Sequence, residues 1–158
     1  MANVDNANGF SFERRVGGGP SVPLERAPTI SNGTIAAGDA LLISAGLVRT
    51  ALAASTKIHG VAAEGVTGVT GTRNSVAFYP ALPDMIFSGQ TDGDASESDL
   101  GARKGILGTT GIMEVDSTGA TTSVLQVVGL KKGSTWDSHA RVLFIWVRSS
   151  FGGSIGPG

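Results

Sequence analysis

From Thr29 onward, short apolar runs recur between turn signals, the spacing expected of an all-β sandwich or barrel. Strands are predicted over 40–44, 47–51, 57–63, 75–79, 85–88, 111–115, 123–130 and 141–148. The last of these holds Val142-Leu143-Phe144-Ile145-Trp146-Val147, apolar at every position, which suits a central strand covered on both faces. Asn32-Gly33, between Thr29-Ile30 and Thr34-Ile35, predicts a hairpin turn. Residues 39–54 carry Ala40, Leu42, Ala45, Val48 and Leu52, a spacing that also fits a helix. Gly46 costs a helix about 1 kcal/mol and makes a natural turn, so two strands are favoured there. Two loops stand out: the glycine-spaced 65–71, and 89–105, rich in Asp, Ser and Gly.

The ends of the chain break this pattern. Residues 1–28 have few large apolar side chains, separated by Gly9, Gly17 to Gly19, Pro20, Pro23 and Pro28. They read as an extended assembly arm, with Val4, Phe10, Phe12, Arg14, Arg15, Val22 and Leu24 as its expected contacts to a neighbouring subunit or partner. Residues 29–148 form the expected β-barrel domain, and 149–158 a glycine-rich tail. Segments of this composition cannot bury enough apolar surface to fold alone, so a neighbouring subunit is expected to hold them.

Composition sharpens the picture. Of 158 residues 24 are glycine, about twice the usual ~7%, and charged residues make up only 16% against the usual ~25%. Low charge with 41% hydrophobic residues suits a protein that buries surface between subunits. The formal net charge of -1 provides no basic footprint for nucleic acid, and Arg14-Arg15 and Lys131-Lys132 are isolated pairs. Without cysteine there is neither a disulfide nor a thiolate metal site. No signal peptide or membrane span is expected.

Candidate chemistry is sparse. Asp92, Asp94 and Ser96 begin like a calcium loop, but Glu97 and Arg103 stand where glycine and a bidentate glutamate are needed, so a solvated acidic loop is expected. Gly152-Gly153-Ser154-Ile155-Gly156 fits the nucleophile-elbow spacing without the strand and helix that such an elbow requires. His59 and His139, the only histidines, lack metal-ligand spacing. His59 is expected to be exposed. His139 with Asp137 offers half a triad and no nucleophile. No catalytic residue, metal or cofactor is expected, and the chain reads as a non-enzyme.

Several pieces nonetheless occur in a telling order. The opening Met-Ala-Asn-Val-Asp, Asn8-Gly9-Phe10 and Gly17-Gly18-Gly19-Pro20 are followed by Gly38-Asp39-Ala40-Leu41-Leu42, Gly46-Leu47-Val48 and Ile58-His59-Gly60-Val61-Ala62-Ala63. Val76-Ala77-Phe78-Tyr79 and Pro83-Asp84-Met85-Ile86-Phe87 continue the series. Over about two thirds of its length the chain thus resembles the decoration, or cement, proteins of tailed-bacteriophage capsids. The resemblance implies a β-barrel or β-tulip domain that forms homotrimers on the virion's outer surface after synthesis in the host cytoplasm. It further implies binding to the major capsid protein by an arm that adds to its sheets, bridging neighbouring capsomers, with no role for nucleic acid or membrane. The alternative is a virion-surface module that touches host envelope or glycan.

Overall fold

The computed structural model describes residues 3–19, 23–118 and 122–149. Val22, Pro20 and the tail from 150 onward, with its Gly-x-Ser-x-Gly match, lie outside the described residues. Among those described the protein is all-β: strands in two five-stranded sheets and one small ribbon, with a single 3-10 turn at Glu97–Asp99 and no α-helix.

The first sheet runs in the order β1 (Ser11–Arg15), β7 (Met85–Gln90), β12 (Arg141–Trp146), β11 (Leu125–Leu130) and β8 (Arg103–Lys104). The second runs β2 (Glu25–Pro28), β6 (Ser75–Pro80), β5 (Gly60–Ala62), β3 (Ala40–Ser44) and β4 (Leu47–Thr50). β9 (Ile106–Leu107) and β10 (Glu114–Val115) form the ribbon. All ladders within the sheets and the ribbon are antiparallel. Thr29, directly after β2, makes a parallel bridge to Val48 of β4, so the second sheet curls until its edges touch at one point. No continuous ladder joins those edges, and the sheets are not closed into a barrel.

Residues 39–54 form a hairpin of β3 and β4. Ala45 and Gly46 both take positive φ (51° and 77°), as two-residue hairpin loops require. Asn32-Gly33 makes a turn, closed by the Gly33 N–H donating to the Ile30 carbonyl, but not the expected hairpin. Thr29 leads instead to Val48 and Ile35 to Val66, because the two-residue runs on either side are too short to pair with each other.

The two sheets share one core. Met85, Phe87, Val142, Phe144 and Trp146 from the first pack with Ala40 and Val61 from the second. β12 is the middle strand, and its burial alternates: Val142, Phe144 and Trp146 are buried while Leu143 and Ile145 are half-covered on the opposite face. The edge-to-face pair Phe144–Trp146, with centroids 4.9 Å apart, anchors the cluster. A second cluster of Ile35, Leu41, Val48, Ala62, Val76 and Phe78 fills the curl of the second sheet.

The expected arm is largely part of this body. β1 pairs with β7, and β2 pairs with β6. Phe10 is 2% exposed, with its ring edge-on to Phe144 and Trp146 at 5.5 and 5.6 Å. It sits over Gly89, where an added Cβ would lie 2.5 Å from the Phe10 ring. Just before it, the chain crosses residue 38 so closely that a Cβ on Gly9 would fall 2.6 Å from the Gly38 carbonyl oxygen. The Phe10 N–H donates to that same oxygen at 2.7 Å.

Candidate contact surface

The six expected contact residues within the described residues separate into distinct environments. Phe10 belongs to the core rather than the surface. Phe12 is half-buried, stacked on Tyr79 at 5.3 Å and edge-on to Phe87 at 5.8 Å. Arg15 is spent on the fold, its Nε donating to Asp84 Oδ2 at 2.7 Å while the Val16 N–H donates to the Asp84 carbonyl. Val4 (78%), Arg14 and Leu24 (55%) are exposed, and Val16 (58%) joins them. Within β1 the bulge between Phe12 and Arg14 resets the alternation, so that Phe12 and Arg15 turn toward the body while Arg14 faces outward.

Residues 3–8 are held differently from β1. Asn3 Nδ2 donates to the carbonyls of Thr135 (2.9 Å) and Ser138 (3.0 Å), and its Oδ1 accepts from the Ser134 hydroxyl. The Asn6 N–H donates to Gln90 Oε1, and Arg141 Nη2 donates to the Asn6 carbonyl. These are side-chain bonds, not a ladder. Beside them runs a groove of about 400 Å³ whose lining includes Val4, Lys131, Lys132, His139 and Arg141.

A larger groove of about 690 Å³ crosses the β3–β4 hairpin, with Ile43, Leu52, Arg49 and Lys57 in its lining. Ile43 and Leu52 are exposed. Neither was among the expected contacts, although the unbroken apolar run Ala40-Leu41-Leu42-Ile43 signals a strand with a second apolar face.

Charged groups mostly serve the fold. Glu13, at a bulge in β1, accepts from the Ser88 hydroxyl and the Lys131 ammonium, both at 2.5 Å. Burial pushes its carboxyl up, but these two donors, with Arg141, bring it below its ordinary value. Asp39 is fully buried and receives the N–H groups of Ala36 (2.9 Å) and Gly111 (2.7 Å). Burial outweighs those bonds and raises its pKa. Within the expected solvated acidic loop, Asp99 pairs with the buried Lys104 at 2.7 Å and Asp92 accepts from the Ser117 N–H, while Asp94 and Glu97 are exposed. His59, expected on the surface, is half-buried against the Phe78 ring at 5.3 Å, and desolvation lowers its pKa.

One titratable group was missed. Asp5, Glu114 and His139 each offer a ligand atom, and these atoms lie within 4.8 Å of one another. Gln90, 1% exposed, donates from Nε2 to Asp5 Oδ1 at 2.8 Å and to Glu114 Oε1 at 3.3 Å. Burial first, then the charges of Asp5 and Asp92, raise the Glu114 pKa against the pull of Gln90 and His139. No sequence signal marks this trio, because the chain brings it together from three distant places. Comparison of the chain with family models, with curated proteins and with solved structures found no match.

Proposed function

We propose that this chain is a structural virion protein that binds the outer surface of a phage capsid and stabilises the shell by bridging neighbouring subunits. The observation that supports it best is the exposed apolar set Val4, Val16 and Leu24, carried on the turn-rich segments that bracket β1. Exposed apolar side chains on a well-packed body suit docking, and many copies on one shell turn weak contacts into strong avidity. The ordered motifs from Asn8-Gly9-Phe10 to Pro83-Asp84-Met85 support the same assignment by their resemblance to decoration proteins. In this reading the chain acts as a homotrimer, has no catalytic role, and contacts the major capsid protein.

The test is cosedimentation of purified protein with expanded shells of the phage that encodes it. Stoichiometric binding is expected, weakened at least about tenfold in a Val4→Asp, Leu24→Asp double variant, since a buried charge in an apolar contact costs well over 1.4 kcal/mol. Absence of binding, or binding unchanged in the double variant, overturns the reading.

A further inference from the structure

We propose that Asp5, Glu114 and His139 form a binding site for a borderline first-row divalent cation such as Zn²⁺, which pins residues 3–8 onto the body of the protein. The inference stands apart from capsid binding. Its ligands come from the N-terminal segment, from β10 and from the loop before β12.

Two independent observations point to a ligand. The first is the donor set itself, one imidazole nitrogen and two carboxylate oxygens within 4.8 Å. Calcium and magnesium favour oxygen-only shells, whereas imidazole with carboxylates suits zinc and its first-row neighbours. The second is the state of His139. Its Nδ1 has less than 1 Å² of exposed surface and no hydrogen-bond partner. It faces Asp5 Oδ1 at 3.7 Å, with the ring 28% exposed. That separation is too long for a hydrogen bond. It matches two donors on one ion, which stand about 3–4 Å apart when each bond is about 2.0–2.2 Å. Asp5, whose side chain is 66% exposed, has freedom to make the small adjustment that brings the three donors onto one centre.

The surroundings are arranged accordingly. Gln90 is fixed by the Asn6 N–H on its oxygen and turns its amide hydrogens to both carboxylates, the outer-shell bonding that orients metal ligands. Asp92 adds negative charge without offering a ligand atom to the trio. A cation relieves the repulsion between Asp5 and Glu114 and supplies the partner that the His139 nitrogen lacks. Open coordination positions on the solvent side are left to water, so moderate affinity is expected.

The experiment uses the full chain, stripped with a chelator and titrated with ZnCl₂. Calorimetry should give one ion per chain. The imidazole NMR signals of His139 should move while those of His59, the only other histidine, stay in place. Amide exchange at Asn6 should slow when zinc is bound. Glu114→Gln and His139→Asn should each weaken binding at least about tenfold with unchanged circular dichroism. Asparagine is chosen because residue 139 has φ of 55°, a region asparagine tolerates. No binding by the parent up to roughly 1 mM zinc overturns the proposal. So does a response confined to His59, or undiminished affinity in both variants; the parent spectra decide the matter even if a variant misfolds.

Discussion

The two core clusters of this protein are built on opposite plans. The first sheet gathers strands from both ends of the described chain and fills its core with the rings of Phe10, Phe87, Phe144 and Trp146. The second draws all its strands from residues 25–80 and fills its curl mainly with aliphatic side chains around a single ring, Phe78. Joining distant segments carries a larger loop-closure cost, and an aromatic ring brings 150–250 Å² of buried surface to offset it. Where all strands come from one shorter stretch of chain, aliphatic side chains around a single ring suffice. The contrast teaches that the heaviest residues stand where topology is most demanding.

Truncating the rings tests this most severely. Phe144→Ala and Trp146→Ala should each cost about 3–5 kcal/mol, because both are at most 1% exposed and touch each other. Chemical denaturation with an intrinsic-fluorescence readout for Phe144→Ala, and circular dichroism for both, measures the loss. Melting close to the parent in both variants would show that the ring cluster is peripheral. Leu41→Ala, in the second cluster, should cost less, about 2–3 kcal/mol, and should leave the Phe10–Trp146 contact intact by NMR. A larger loss at Leu41 than at Trp146 reverses the ranking of the two cores.

Acid separates the regions more gently. Glu13, in the first sheet, has a folded pKa below its ordinary 4.5, so its contribution is present above that value and disappears as pH falls through the folded pKa. Asp39, before β3, has a folded pKa above its ordinary 3.8, so its contribution is present below that value and is lost as pH rises through the folded pKa. The difference in Tm between parent and Glu13→Gln should therefore shrink on acidification, while that between parent and Asp39→Asn should move in the parent's favour. Parallel trends in the two pairs would show that neither carboxyl is linked to folding as the geometry implies.

What the sequence made legible follows the same division. The β3–β4 hairpin could be read from Gly46, since its turn and strands are adjacent and need no distant partner. β12 could be read from its unbroken apolar run, and its alternation placed Phe144 and Trp146 on one face. Phe10 could not be read. Flanked by Gly9 and Ser11, it resembles a loop residue, and only Gly89, across the sheet, makes room for its ring. The two-residue strands β8 and β9 are likewise too short to leave a period, whereas β10 is the C-terminal part of the strand expected over 111–115. Of the residues expected to make contacts, Val4, Arg14 and Leu24 are exposed, whereas Phe10 and Phe12 pack into the body and Arg15 pairs with Asp84. The Asp5–Glu114–His139 cluster has no local spacing at all, so only the folded chain reveals it.

The position of β12 between β7 and β11 also sets an order of events during synthesis. β1 is made among the first residues of the chain, and its partner β7 is not held on its far side until β12 has been made. The second sheet is complete in sequence by Pro80, so it can assemble while the remainder is still being translated. Phe10 must wait for Trp146, and until then the segment around β1 presents an unpaired edge and an uncovered ring to solvent. A ribosome stalled where Pro80 has left the exit tunnel but β12 has not should hold a nascent chain whose second sheet resists protease while residues 10–15 remain cleavable.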